Sequence, residues 1–417
     1  MKRFLPLLIF LVFLSTWIYF EYIEPYTGSG STEQSTETVE TESTCGHAYL
    51  VYAAKEPTAT EKGHTSYKIC TLCYDKQGYS EVEYTYPCLD LLPSAYDRIS
   101  IFNLSDKDKN EIIGMYLTVM SFGEKYTFQS DVSKSQIVQY FDILFYSMPE
   151  TFMITRGFKY NTQNENTVSV LFNYAISKDK YTTMMSEIEG KIKTLLNAVK
   201  GKSDFDKVVY FNNYLIEHCT YTKEGENIGN IYGALTNGEI LCDGFADITN
   251  FLCNAAGVKC QTVLGKINEG HAWNIVQLSG QYYYLDVTNN NNDNYNKPLY
   301  RYLGVSRSYI ESIGFTIDKN YTDIVPEANS IYDIKNRYMP IIAADQNIDT
   351  AMKNVASYIV KNKPLHVYVH FESQSGFDAG KTYTNYLNNE IKKAYPNASI
   401  KNMSSADAKM LNLIITY

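Results

Sequence analysis

A chain of 417 residues exceeds the usual size of one domain, so several folding units are expected. With 45% hydrophobic residues, 20% charged residues and 38 tyrosines, it is too apolar and too aromatic to be disordered in bulk. Its net charge of −9, with no basic cluster beyond Lys2-Arg3, argues against a protein that tracks nucleic-acid phosphates, and no nucleic-acid partner is expected.

At the amino end, Met1-Lys2-Arg3 precedes an apolar run over residues 4–20, with Trp17, Tyr19 and Tyr22 where an aromatic belt would sit. Residues 1–24 therefore read as a signal or membrane anchor that leaves the rest of the chain facing outward. No small-x-small cleavage site directly follows the run and no Cys follows it for lipid attachment, which favours an uncleaved anchor over a removed signal peptide. Residues 25–44 read as a flexible linker, because 28–44 is almost entirely Gly, Ser, Thr, Glu, Gln and Val. The expected location is a membrane-anchored protein with extracellular bulk, or a secreted one, within reach of the cell wall.

Of the eight cysteines, Cys45, Cys70, Cys73 and Cys88 cluster in the next segment, 45–90. Cys45-Gly-His47 and Cys70-Thr-Leu-Cys73 bring two pairs of soft donors from separate turns. Thiolate and imidazole suit tetrahedral zinc, which would staple a segment too short to bury much core. Cys45, His47, Cys70 and Cys73 are thus candidate ligands of a structural zinc, with Cys88 or His64 able to replace one of them. In an oxidising compartment, disulfides among Cys45, Cys70, Cys73 and Cys88 are the alternative. The pattern resembles the small Cys/His repeats of exported bacterial proteins, a zinc-ribbon-like module.

Residues 91–203 read as helix-rich. Helices are expected at 134–146 and at 181–199, where Met184, Ile188, Ile192 and Leu195 recur at helical spacing, while alternation over 167–175 predicts one strand. A further helix over 204–219 opens the region 204–322, and His218 and Cys219 at its end are read as cap or core residues.

That region carries the chemistry. Cys242 stands where a turn feeds a helix marked by Phe245, Ile248, Leu252 and Ala255 and stopped by Gly257. At a helix's first turn, unpaired N–H groups and the positive dipole end favour a thiolate and could cradle an oxyanion. Downstream, 271–278 and 281–287 read as strands of a hairpin around Ser279-Gly280. Pairing 278 with 281 sets Trp273 opposite Asp286 and His271 opposite Thr288, so His271 and Asp286 become diagonal neighbours on one face. The carboxylate would then orient the imidazole, and the imidazole would take and return the thiol proton. Trp273 is expected to pack beside His271, and Cys253 and Cys260 to be buried and inert.

The order Cys242, His271, Asp286, set in Cys-Asp-Gly-Phe-Ala, His-Ala-Trp-Asn and Asp-Val-Thr, resembles the bacterial transglutaminase-like superfamily over about 204–304. That resemblance implies a papain-like core, with Cys242 as nucleophile, His271 as general base and acid, and Asp286 as the orienting residue. It departs from the family pattern after Asp-x-Thr, where many relatives have Trp and an acid and this chain has Asn289-Asn290-Asn291-Asn292-Asp293. Residues 323–417 read as a small α/β unit, with helices near 348–360 and 383–394 and strands at 365–371, near 398 and at 411–417. His366 and His370 lie too far apart on one strand to share an ion and are read as exposed.

The expected fold class is α+β. The expected activity is that of an exported thiol enzyme, a cysteine protease or amidase acting on a protein or peptide through a Cys thioester, with no cofactor for catalysis. The alternatives are a cross-linking transglutaminase and a catalytically idle cell-surface binding protein.

Overall fold

The computed structural model describes residues 46–57, 61–83, 86–129, 131–164, 167–291, 301–330, 341–364, 366–402, 404 and 409–417. The anchor expected at 1–24, the linker expected at 25–44 and Cys45 lie outside the described residues. Among the described residues, no helix is long and apolar enough to cross a membrane. The architecture is α+β and divides into two compact units, Met1–Leu195 and Leu196–Tyr417.

In the first unit, Tyr49–Tyr52, Tyr67–Cys70 and Lys76–Gln77 form a small antiparallel sheet, and Gly63–His64 pairs with Glu81–Val82. Helices follow at Asp106–Met120, Lys134–Ser147 and Lys178–Ala198. The second starts at Ser133 because the Ser133 hydroxyl accepts from Gln136 N while the Gln136 side chain accepts from Ser133 N. The third buries Tyr181, Met184, Ile188, Ile192 and Leu195 along one stripe, as their spacing requires. The strand expected at 167–175 appears as Thr167–Tyr174, but it is the centre of a sheet between Lys125–Thr127 and Ile154–Asn164. Strand content in 91–203 thus goes beyond the one strand expected, since the flanking strands are a short one and one with two register shifts, both weak in periodicity. Beneath these helices Arg98 and Glu150 form a bidentate pair, Nη1 to Oε2 at 3.1 Å and Nη2 to Oε1 at 2.5 Å, with side chains 2% and 0% exposed.

The second unit holds a five-stranded antiparallel sheet, in the order Leu303–Val305, Gln281–Leu285, Glu269–Leu278, Cys260–Ile267 and Thr316–Ile317. The helix Cys242–Ala255 packs on its central strands, and Asp204–His218 packs on that helix. Three buried amides fix the register of helix on sheet: Asn250 Nδ2 donates to Gln261 Oε1 at 3.2 Å, Asn254 Nδ2 to the Cys260 carbonyl at 2.8 Å, and Asn274 Nδ2 to the Ala246 carbonyl at 2.9 Å. Gly257 ends the helix at φ 81°, with its N–H on Asn254 O and Val258 N–H on Cys253 O, a Schellman closure.

Further along, Ile341–Ile342, His366–Phe371, Met410–Thr416 and Ser399–Asn402 form a four-stranded sheet in that order, with the first pair parallel. Helices Ile348–Asn362, Gln374–Lys381 and Thr384–Ala394 cover it around a core of Met352, Ile359, Val369, Phe371, Leu387 and Leu413. His370 is buried against the Tyr309 ring at 5.4 Å, not exposed as its polar character suggested. An aromatic neighbour supplied from outside the strand accounts for the difference.

Candidate active site

Cys242 is the first residue of its helix, with Leu241 extended before it, so its sulfur stands at the end where N–H groups point outward. The site is half-buried there. Gly244 serves a purpose that the sequence did not disclose: a Cβ at this position would lie 2.5 Å from the Ile228 carbonyl oxygen. The glycine lets the preceding loop press against the helix tip, which the Leu241 N–H to Ile228 carbonyl bond at 2.8 Å then secures.

The hairpin keeps the expected register, with Leu278 opposite Gln281 and Asn274 opposite Leu285. Ser279 and Gly280 both take positive φ, 51° and 81°, which matches a two-residue primed turn to the twist of the strands. The ladder stops at Leu285, so Trp273 does not pair with Asp286 nor His271 with Thr288. The chain turns instead into the short helix Val287–Asn290, with Asp286 N bonded to Tyr302 O at 2.9 Å and Asp286 Oδ1 accepting from Asn289 N at 3.0 Å. Capping that helix presents the carboxylate to the imidazole. His271 Nε2 donates to Asp286 Oδ2 at 2.7 Å, and the Cys242 sulfur acts electrostatically on the same ring while its thiol donates to Asp243 Oδ1 at 3.6 Å.

Asn289, read from sequence only as a departure, joins this cluster. Its Nδ2 donates to Asp286 Oδ2 at 2.5 Å and lies 3.1 Å from His271 Nε2. The next two asparagines tie the same turn down: Asn290 Nδ2 donates to Asn212 Oδ1 at 2.9 Å, and Asn291 Nδ2 to the Cys219 carbonyl at 2.9 Å. An unbroken asparagine run looks like a loop in sequence, and only its partners, more than 70 residues away, reveal the anchoring.

Aromatic rings wall the imidazole. Trp273, 1% exposed, lies nearly parallel to it with ring centroids 5.9 Å apart, and Phe315 meets it edge-on at 5.9 Å. Phe315 carries no sequence signal because it comes from a loop after the hairpin. Burial opposes charging of His271, but the Asp286 carboxylate and then the Cys242 sulfur outweigh it and push the ring up to about 10. The ordinary value is 6.5, so the protonated ring stabilises the fold fully below that pH, and the contribution is lost as pH rises through about 10. In an NMR titration of the histidine rings, His271 is expected to turn over near 10 and, in Asp286→Asn, to fall back toward the ordinary range. A midpoint near 6.5 in the unaltered protein would contradict the charge pairing.

The remaining thiols of this unit stay apart from the cluster. Cys253 and Cys260 are buried together, and burial holds the Cys260 thiol well above the usual range. Cys219 donates to the Ala234 carbonyl at 3.6 Å and is pushed up to about 12 by burial, while His218 bonds the Tyr214 carbonyl. In the other unit, the sulfurs of Cys70 and Cys73 and a ring nitrogen of His47 lie within 4.8 Å of one another. Burial raises the buried Cys88 thiol to about 12, and the His64 ring bonds the Thr65 carbonyl and packs on Tyr67 and Tyr79. Neither belongs to the His47, Cys70 and Cys73 group.

Residues 193–287 match the family described as transglutaminase-like superfamily. Among curated proteins no relative matches. The chain is similar to a solved structure described as a candidate cysteine protease from Cytophaga hutchinsonii, at 17% identity and TM-score 0.22 over 30% of this chain and 52% of that one. It is also similar to a protein described as a TGase, at 15% identity and TM-score 0.24 over 57% and 68% of the two chains. A third is the periplasmic domain of TgpA from Pseudomonas aeruginosa, at 15% identity and TM-score 0.21 over 30% and 55%. The chain thus spans about half the length of the first and third of these structures. Residues 193–287 thus match a transglutaminase-like domain, and Cys242, His271 and Asp286 all lie within the matched stretch.

Proposed function

We propose that this protein is an exported thiol enzyme that cleaves amide bonds in a protein or peptide, with Cys242 as nucleophile, His271 as general base and acid, and Asp286 as the orienting carboxylate. The observation that carries the reading is the convergence of one thiol, one imidazole and one buried carboxylate from a helix tip and two strand ends. With Nε2 committed to Asp286, the other ring nitrogen is the one that serves Cys242. With the proton of the thiol–imidazole pair resting on His271, the Cys242 sulfur bonds to the amide carbonyl carbon. The C–N bond breaks as His271 returns the proton to the departing amine, leaving a thioester. Water then attacks the thioester, His271 takes its proton and gives it to the sulfur, and the acid is released. Asn289 is a positioning residue in this scheme, since its amide shares the carboxylate oxygen that holds the ring.

Water is the proposed acceptor because it needs no recognition site of its own; a lysine amine would convert the same thioester into a cross-link. Placement outside the cell rests on the apolar run at 4–20 behind Met1-Lys2-Arg3, which also supports contact with a membrane. The test is a screen of peptide substrates, with and without an amine, using the full chain and Cys242→Ala as blank. The expected result is hydrolysed product that is absent in the blank. Amine-coupled product as the main species would move the assignment to cross-linking, and equal turnover by both proteins would remove Cys242 from the reaction.

A further inference from the structure

The small sheet Tyr49–Tyr52, Tyr67–Cys70 and Lys76–Gln77 has little to hold it together. Leu50, Val51, Tyr52, Leu72 and Tyr74 are exposed, and Cys70 alone in its three strands is buried. Three short strands without an apolar core do not persist in water unaided. At the end of this sheet the side chains of His47, Cys70 and Cys73 nonetheless converge: one donor atom from each lies within 4.8 Å of the others, and Cys73 Sγ is 3.3 Å from His47 Nδ1. In a tetrahedral zinc site with Zn–S bonds of about 2.3 Å, neighbouring donors stand roughly 3.6 to 3.8 Å apart, so the trio needs only small shifts to share one ion.

The backbone is shaped for the same purpose. Cys70-Thr-Leu-Cys73 closes a tight turn, with Tyr74 N on Cys70 O at 2.9 Å and Tyr74 at φ 61°. Within it the Leu72 N–H points at Cys70 Sγ at 3.4 Å, a bond that favours a charged sulfur acceptor. The second turn brings His47, whose ring stacks on Tyr49 at 5.4 Å; the Tyr49 hydroxyl donates to Asp75 at 2.6 Å and accepts from Gln77 at 2.7 Å. The Tyr49 ring, itself held by Asp75 and Gln77, thereby limits how the imidazole can turn.

We infer that His47, Cys70 and Cys73 bind a thiophilic divalent cation, zinc by preference, as a structural centre of the first unit. Two thiolates and an imidazole select zinc over the hard cations calcium and magnesium. Zinc takes four donors, and these side chains supply three of them. The centre is independent of the amide-cleaving reaction and joins strands whose burial cannot. It excludes a Cys70–Cys73 disulfide, which would consume both donors.

The experiment measures metal in the full chain purified under reducing conditions, with elemental analysis and with cobalt added to metal-stripped protein. Expected are one zinc per chain and, with cobalt, sulfur-to-metal charge-transfer absorption with tetrahedral ligand-field bands. His47 and Cys73 are exposed, so His47→Ala and Cys73→Ser open no buried cavity; each is expected to lower metal affinity by roughly tenfold or more. Cys88→Ser and Cys242→Ala are expected to keep the full complement. Metal-free protein without cobalt absorption, metal retained at full affinity in Cys73→Ser, or a Cys70–Cys73 disulfide found by mass would each overturn the inference.

Discussion

Replacing His271 with Ala is expected to slow alkylation of Cys242 at neutral pH by about 10²-fold or more, with turnover falling at least as far. The imidazole, held up to about 10 by Asp286 and then the Cys242 sulfur, is the group that keeps the proton of the thiol–imidazole pair. Without it, the sulfur would have to lose its proton to water. Asp286→Asn is expected to act in the same direction, because the ring would keep its place but lose the charge that holds its proton. Labelling resolved by mass to the Cys242 peptide gives a direct reading, since the buried Cys253 and Cys260 stay silent. Equal, sluggish labelling of Cys242 in the unaltered protein and in His271→Ala would defeat the catalytic assignment and favour a surface protein that only binds.

The largest effect on stability is expected at Arg98. Its guanidinium and the Glu150 carboxylate are almost fully out of water and satisfy each other in a two-bond fork. Arg98→Met leaves a carboxylate buried without its counter-charge, which costs about 3 to 5 kcal/mol and shows as an earlier unfolding transition in urea. The double variant Arg98→Met, Glu150→Leu is expected to recover most of that loss, because the fully buried carboxylate goes with its partner and only the half-buried Glu56 keeps a charge nearby. A single variant that unfolds within about 1 kcal/mol of the unaltered protein would show that water or a neighbouring group reaches Glu150.

Local chemistry made part of the candidate site readable. The spacing of Phe245, Ile248 and Leu252 announces a helix whose first residue is Cys242, and Ser279-Gly280 announces a turn whose length sets the strand register. Both signals lie within a few residues of the feature they specify. Alternation also disclosed Thr167–Tyr174, but not the strands on either side of it, since pairing with distant segments stabilises those more than their own pattern does.

What lay beyond the sequence was long-range partnership. The strand expected to run through 287 yields to a capped helix because Asp286 finds Tyr302 and Asn289 rather than its ladder partners. The polar run at 289–291 becomes an anchor through Asn212 and Cys219, and Phe315 closes the wall around His271 from a loop with no periodicity. Residue order and short-range periodicity determined which side chains can carry the chemistry and on which elements they ride. Which way the carboxylate faces, how tightly the ring is held and what shields it were decided only when segments far apart in the chain buried their polar groups against each other, because a buried amide or carboxylate must find a partner wherever the fold supplies one.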